Sequence, residues 1–144
     1  MQLNDLMPTF ALKTIEQVRG KQVFEKLVVD GQIPFDTFVN EVEKQFESEL
    51  DGIFNWMNRV ANNNAVPREK FHPLKGSKDS CREYEFKSKH LRVYLIEQSN
   101  GKIVVMGGTK TNQPKDIQQF RKIKQQYLKY LTNNNENESR TIKK

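Results

Sequence analysis

The chain has 144 residues, of which 35% are hydrophobic and 29% charged, and its formal net charge is +6. This length predicts one domain with a modest core, and nine phenylalanines are available to fill it, which excludes a chain that is disordered throughout. A single cysteine excludes an internal disulfide, and no apolar run is long enough for a membrane span or a secretory signal, so we expect a cytoplasmic protein without a membrane partner.

The charge is unevenly distributed along the chain. Between Phe35 and Asn62 six acids face two bases, a net charge of −4, whereas Val66 to Leu131 holds fifteen lysines and arginines against six acids, a net charge of +9. A basic half favours a polyanionic partner, because neutralising phosphates releases counterions. A well-solvated surface and an acidic partner protein fit the same distribution.

Residues 1–21 form an N-terminal extension whose sequence fits either a helix or a strand of a hairpin. Apolar residues from Leu3 to Val18 fit a helical stripe, but Pro8 interrupts it. The segments "FALKTIEQV" and "QVFEKLVV", joined through Arg19, Gly20 and Lys21, instead fit a β-hairpin, which we favour.

A helical hairpin is predicted next. Behind Pro34, a good first-turn residue, apolar side chains recur at helical spacing as far as Leu50, and the same period continues from Ile53 to Ala61. Asp51-Gly52 is the expected break or bend between the two helices. The following residues, 65–80, contain two prolines and no periodicity, which predicts a loop.

Three strands and a last helix follow. "CREYEFK", "LRVYLIE" and "KIVVMGG" are typical of strands, and Asn100-Gly101 predicts a two-residue hairpin turn between the last two. Pro114 opens a helix with an apolar stripe that ends at Leu131, and we expect residues 132–144 to be a disordered polar tail. Together the elements predict an α+β fold: a small antiparallel β-sheet with the helical hairpin packed on one face and the C-terminal helix at an edge.

The hairpin register predicts which side chains share a face. An Asn100-Gly101 loop places Leu95 opposite Met106 and Arg92 opposite Thr109, so Leu91, Val93, Leu95 and Met106 face the helices. Pairing Lys87 with Arg92 then gathers five polar residues on the other face: Glu83, Glu85, Lys87, Arg92 and Tyr94. Such a set has the parts for phosphoester chemistry, although charges that simply pair on a wet sheet face fit as well. Lys110 falls on the opposite face from Arg92 unless Gly107-Gly108 carries a bulge or ends the strand.

The order of these elements resembles the RelE/ParE superfamily of type II toxins, closest to its HigB-like and phage-derived branch. The resemblance covers roughly residues 22–131 and rests on "PLKG", "EYEFKSKHLRVYLIE", "KIVVMGGTK" and a helix opened by proline. Arg92 matches the strand arginine that contacts the scissile phosphate in the family, and Lys110 matches the first lysine of its "KK" signature. The chain departs from the pattern at Thr111, where the second lysine would stand, and at Glu83 and Glu85, where RelE has lysines.

The resemblance implies a single toxin domain, residues 1–131, that cleaves messenger RNA on the ribosome without a metal or cofactor. Its partners would be a cognate antitoxin protein, the ribosome and mRNA. Four residues would carry catalysis: Arg92 and Lys87 at the transition state, Glu85 as base, and Tyr94, or else His90, in proton transfer. RNA backbone contacts would come from five lysines: Lys110, Lys75, Lys89, Lys122 and Lys129. A non-catalytic protein- or nucleic-acid-binding module and a gyrase-directed toxin are the alternatives on the same fold.

Overall fold

The computed structural model describes residues 7–142, with side chains described for residues 7–134. Six strands and three α-helices form an α+β fold, as predicted. The strands are β1 (Phe10–Thr14), β2 (Val23–Val29), β3 (Phe71–Pro73), β4 (Glu83–Lys87), β5 (Leu91–Gln98) and β6 (Gly101–Thr109). The helices are α1 (Pro34–Glu41), α2 (Glu47–Ala61) and α3 (Gln113–Ile142), with 3₁₀ turns at Lys44–Phe46 and Lys110–Asn112.

All six strands join one sheet in the order β1-β2-β6-β5-β4-β3. The predicted antiparallel sheet is wrong in one respect: β2 and β6 run parallel, with Val23 beside Gly101, so the sheet is mixed. A parallel pair requires a long crossover, and here α1, α2 and the strands β3 to β5 lie between the two partners. A side chain at Gly101 would come within 1.9 Å of the Val23 carbonyl oxygen, so only glycine allows this close pairing.

The predicted N-terminal hairpin is confirmed. β1 and β2 pair antiparallel, from Phe10 opposite Val29 to Thr14 opposite Glu25. Residues 1–6, which belong to the predicted N-terminal extension and include Leu3 and Leu6 of its helical reading, lie outside the described residues.

The helical hairpin forms, but its break is not at Asp51-Gly52. α1 ends where Val42 and Glu43 adopt extended backbone, and α2 runs straight through Gly52. A glycine inside a helix costs only about 1 kcal/mol, so Gly52 does not force a break. The bend at Val42 lets apolar residues of both helices reach the sheet. Phe35, Phe38, Leu50, Ile53 and Met57 are buried there against Phe24, Phe86, Val93 and Leu95.

The segment 65–80, predicted to be a loop, contains the short strand β3. It pairs antiparallel with β4, which sets Phe71 opposite Phe86 and His72 opposite Glu85. Ring stacking accounts for the pairing, since the Phe71 ring lies 4.5 Å from that of Phe86 and 5.1 Å from that of Tyr84. Because two prolines and a glycine lie in this segment, the sequence predicts a loop and not a strand.

The β5–β6 register differs from the prediction. Gln98 pairs with Gly101, so the two-residue loop is Ser99-Asn100, with Asn100 at a φ of +71°, and Gly101 already belongs to β6. A bulge at Val105 then shifts the pairing: Leu95 lies opposite Val104, and Tyr94 lies opposite Met106. Met106 therefore shares the face of Tyr94 and not that of Leu95. On β4, the predicted pairing of Lys87 with Arg92 is confirmed.

The C-terminal helix covers the second face of the sheet, so its predicted place at an edge is wrong. Phe120, Ile123 and Tyr127 of α3 pack on Tyr94, Ile96, Ile103 and Val105 and form a second core. Arg121 and Lys124 of the same helix pair with Glu83 of β4. α3 also continues as helix to Ile142, where the sequence predicts a disordered tail from residue 132, while residues 143–144 lie outside the described part.

Candidate functional site

The sheet face predicted to carry an exposed catalytic set lies beneath α3. Arg92, Tyr94 and Glu85 share that face as predicted, but their exposed fractions are 4%, 0% and 2%. The Tyr94 ring stacks on Phe120 at 5.6 Å between ring centres. The apolar stripe of α3 needs an apolar surface, and β5 offers one on both faces, so the helix covers the polar side chains as well.

Glu85 belongs to a buried network that ties α3 to β3. Its Oε1 lies 3.0 Å from His72 Nε2, and its Oε2 accepts a hydrogen bond of 2.5 Å from Gln113 Nε2. The second His72 nitrogen, Nδ1, lies 3.0 Å from the carbonyl oxygen of Arg68, another acceptor. Both ring nitrogens of His72 thus lie within hydrogen-bonding distance of an oxygen. With both oxygens engaged and no solvent contact, Glu85 is removed from the predicted role of RNA-cleaving base.

Tyr94 is equally removed from the predicted proton-transfer role. Its hydroxyl is buried and has no hydrogen-bond partner among the described residues. Burial, with the nearby Glu85 and Asp116 carboxylates, raises the pKa of Tyr94 well above its usual value. A buried phenol that holds its proton this firmly does not exchange it with a substrate in solvent.

Arg92 supports a turn and does not face solvent. Its Nη1 donates hydrogen bonds of 2.6 Å to the Ser88 carbonyl and 2.8 Å to the Leu91 carbonyl. The turn between β4 and β5, residues Ser88 to His90, is closed further by a hydrogen bond from Ser88 N to Leu91 O. In this structure Arg92 is therefore a positioning residue for the turn, and the predicted phosphate contact would need its guanidinium to become exposed.

The turn presents His90, which Glu49 of α2 holds in place. Glu49 Oε2 lies 2.7 Å from His90 Nδ1, while Oε1 accepts hydrogen bonds from the His90 backbone and from Ser88 Oγ. Partial burial raises the pKa of the Glu49 carboxyl, but the hydrogen bonds from Ser88 and His90 outweigh it, so the pKa lies below its usual value. An ionised Glu49 fixes Nδ1 as a donor and leaves Nε2 on the far side of the ring, with no hydrogen-bond partner in residues 7–134.

Two further contacts hold His90 in place, one at its ring and one at its backbone. Its face stacks on Phe46 at 4.3 Å between ring centres, with an angle of 25° between the planes. The His90 carbonyl accepts a hydrogen bond of 2.9 Å from the backbone of Lys110, where β6 ends. His90 is nevertheless 42% exposed, so an oriented imidazole lies at the surface. A histidine paired with a carboxylate is a common arrangement for proton transfer.

Three lysines surround this turn. Lys87 precedes it on β4, Lys89 lies within it and is exposed, and the exposed Lys110 is attached to it through the backbone. The bulge at Val105 sets Arg92 opposite Gly108, and β6 ends at Thr109, so the place of Lys110 is set by the following 3₁₀ turn and not by strand alternation. We call Glu49, His90, Lys87, Lys89 and Lys110 the turn site.

The other predicted RNA-binding lysines lie elsewhere. Lys122 and Lys129 are exposed on α3, seven residues apart and so on one side of the helix, and the exposed Lys75 lies beside them because its carbonyl binds Arg121. The five lysines therefore form two groups, one at the turn and one along α3.

Glu49 and Phe46 are the members of this arrangement that the sequence does not single out. Glu49 is one of six acids on the helical hairpin, and 41 residues separate it from His90. Its only local signal is a place in the first turn of α2, where any carboxylate is favourable. Contacts this distant in sequence are decided by how α2 packs on the sheet.

Replacing Glu49 by glutamine should lower the free energy of unfolding by about 1–2 kcal/mol at pH 7, because hydrogen bonds to a charged group are lost. A carboxyl with a lowered pKa in the folded state stabilises above its unfolded pKa, so the difference from wild type should shrink as the pH falls below about 4.3. Urea unfolding at pH 7 and pH 4 measures this, with Glu47→Gln, an exposed neighbour, as control. A deficit that is unchanged at pH 4 would contradict the ionic role of Glu49.

Among the described residues, no group of three or more histidine, cysteine or acidic side chains could hold a metal ion, and no helix is long and apolar enough to cross a membrane. Comparison with protein-family models, curated proteins and solved structures gave no match to this chain.

Proposed function

We propose that the protein is the toxin of a type II toxin–antitoxin pair, acting in the cytoplasm, and that it cleaves messenger RNA at the turn site. The observation that carries the proposal is the oriented His90 imidazole, held by Glu49 in a turn that follows Lys87, contains Lys89 and is hydrogen-bonded to the backbone of Lys110. The RelE/ParE resemblance supports it. The resemblance implies a strand, two helices, a three-stranded meander and a last helix; β2, α1, α2, β4, β5, β6 and α3 occur in that order, and β1 and β3 are additional to it.

The chemistry requires one proton to leave and one to arrive. His90 Nε2 takes the proton of a ribose 2′-hydroxyl, whose oxygen attacks the adjacent phosphorus, and the bond from phosphorus to the 5′-oxygen breaks. The imidazolium then protonates the departing 5′-oxygen, so the products are a 2′,3′-cyclic phosphate and a 5′-hydroxyl. Lys87, Lys89 and Lys110 stabilise the charge that develops on the phosphate oxygens, while Arg92 keeps the turn in shape.

A ribosome-programmed cleavage assay tests the proposal. The protein is added to ribosomes halted on a defined mRNA, and the 5′ ends of the fragments are mapped by primer extension. We expect cuts within the mRNA when ribosomes are present and none on the same RNA alone. The cut fragments should carry a 2′,3′-cyclic phosphate. Intact mRNA under both conditions would contradict the proposal.

The burial of Arg92, Glu85 and Tyr94 favours a second candidate, a non-catalytic binding module. Such a module would use the basic surface, including Lys122 and Lys129, to bind nucleic acid or an acidic protein. It would leave the mRNA intact in the cleavage assay and still shift labelled RNA in a binding assay, with an affinity that falls as salt rises. Inhibition of DNA supercoiling would instead indicate a gyrase-directed toxin.

A further inference from the structure

A cleft of about 630 Å³ lies between α1, the end of β6 and the first half of α3. Its floor is apolar and includes Phe38, Val42, Phe46, Met106 and Ile123. Gly107 and Gly108 let Phe38 and Asp116 of the cleft wall pack directly on the backbone of β6, since a side chain at Gly107 would overlap the Phe38 ring and one at Gly108 would overlap the Asp116 carboxylate. The volume suits a few side chains of a bound segment.

The charge around the cleft opposes the charge of the whole chain. Glu41, Glu43 and Asp116 line it, and none of the described lining residues is a lysine or arginine, although the chain has a net charge of +6. Burial raises the pKa of the Asp116 carboxyl by more than the neighbouring Lys115 lowers it. An apolar floor with an acidic rim matches a segment that carries apolar and basic side chains together.

Two parts of the chain itself are unsuitable occupants. Residues 1–6 have one acidic side chain and no basic one, so their charge does not complement the rim. The second part begins at residue 135, which lies 22 residues beyond Gln113, where α3 starts beside the cleft. Because a helix rises about 1.5 Å per residue, residue 135 lies roughly 33 Å from Gln113.

We propose that the cleft is the docking site for a cationic amphipathic segment of a partner protein, whose apolar side chains rest on Phe38, Phe46 and Met106 and whose basic side chains pair with Glu41, Glu43 and Asp116. Phe46 both lines the cleft and stacks on His90, so an occupied cleft changes the surroundings of the His90 ring. A partner bound in the cleft would therefore control the turn site from a neighbouring surface. Only this consequence rests on the proposed function.

Peptide binding to the full-length protein tests the inference without RNA. The probes are two synthetic 15-residue peptides with leucine at helical spacing, one with lysine and one with glutamate at all other positions. Calorimetry and NMR at 150 mM salt should show that the lysine peptide binds and shifts the amide signals of Gly107 and Gly108. The His90 ring signals should move with them. The glutamate peptide should not bind.

Matched variants locate the binding. Glu41→Gln with Glu43→Gln should weaken binding of the lysine peptide about five- to tenfold, since two exposed charge pairs at the rim are lost. Glu47→Gln with Asp51→Asn, the same charge change on α2 outside the cleft, should change affinity less than twofold. At saturating lysine peptide, Phe46→Leu should abolish the response of His90 while the signals of Gly107 and Gly108 still shift.

Three results would overturn the inference: equal binding of both peptides, equal weakening by both double variants, or shifts confined to other surfaces. Concentration-dependent self-association that shifts Gly107 and Gly108 without peptide would assign the cleft to a second copy of the chain instead. Because no RNA is present, a failure here leaves the cleavage proposal intact, and a protein that does not cleave RNA can still bind the peptide.

Discussion

Replacing His90 by glutamine should slow ribosome-dependent mRNA cleavage by about 10²- to 10⁴-fold, the usual contribution of a positioned proton-transfer group. Glutamine can still hydrogen-bond to Glu49, and the 42% exposed site accommodates it, so the fold should persist. The free Nε2 that takes and returns the proton is lost. Single-turnover cleavage rates of the wild type and the variant on the same halted ribosomes measure the effect.

The control for this variant is His72→Gln, the other histidine in the chain. His72 is bonded to Glu85 beneath α3, away from the turn site, so its loss should change stability and leave the chemical step nearly unaltered. Full cleavage by the His90 variant, together with a large loss in the His72 variant, would move the active centre to the buried network and refute the turn site.

The second large effect is expected at Lys124, whose replacement by methionine should lower the free energy of unfolding by about 3–5 kcal/mol. Lys124 is 1% exposed, and its Nζ lies 3.0 Å from Glu83 Oε2 and 2.7 Å from Asp79 Oδ1. It also donates a hydrogen bond to the Cys81 carbonyl. Methionine fills the space but leaves the buried Glu83 charge with Arg121 as its one remaining charged partner among the described residues.

Urea unfolding monitored by circular dichroism measures this loss. Lys122→Met is the matched control, because it removes an exposed lysine from the same helix and should cost less than about 0.5 kcal/mol. Replacing Glu83 by leucine in the Lys124→Met background should recover part of the stability, since the unpaired carboxylate is then removed. Additive losses in the double variant would show that the two charges do not stabilise each other.

The Lys124 cluster also explains why the sequence misplaces α3. Its pattern shows an apolar stripe that must be buried, but nothing in the sequence marks Arg121 and Lys124 as partners of Glu83. Glu83 on the inner face of β4 pairs with both, and Asp79 pairs with Lys124, which makes the burial of Lys124 favourable; the position of Glu83 depends on its pairing with Ile96. Polar residues at helical spacing therefore do not by themselves identify the solvent side of a helix.

The turn site was partly predictable. Lys87, Lys89, Lys110 and His90 lie close together in sequence or at the ends of strands that a hairpin must bring together. The bulge at Val105, which sets Arg92 opposite Gly108, was not predictable, because alternation is broken by packing and no residue type marks that position.

By itself, the sequence determined the order of the elements other than β3, the central strands and the core-facing residues of α1, α2 and β5, because apolar periodicity is a local property of the chain. The tertiary structure alone decided that β2 runs parallel to β6, that α3 covers the polar sheet face, and that Glu49 meets His90. These features arise from side chains tens of residues apart competing for the same buried surface. Arg92 is an example. Alternation along β5 predicts its face correctly, but alternation within a strand does not predict that this face is buried.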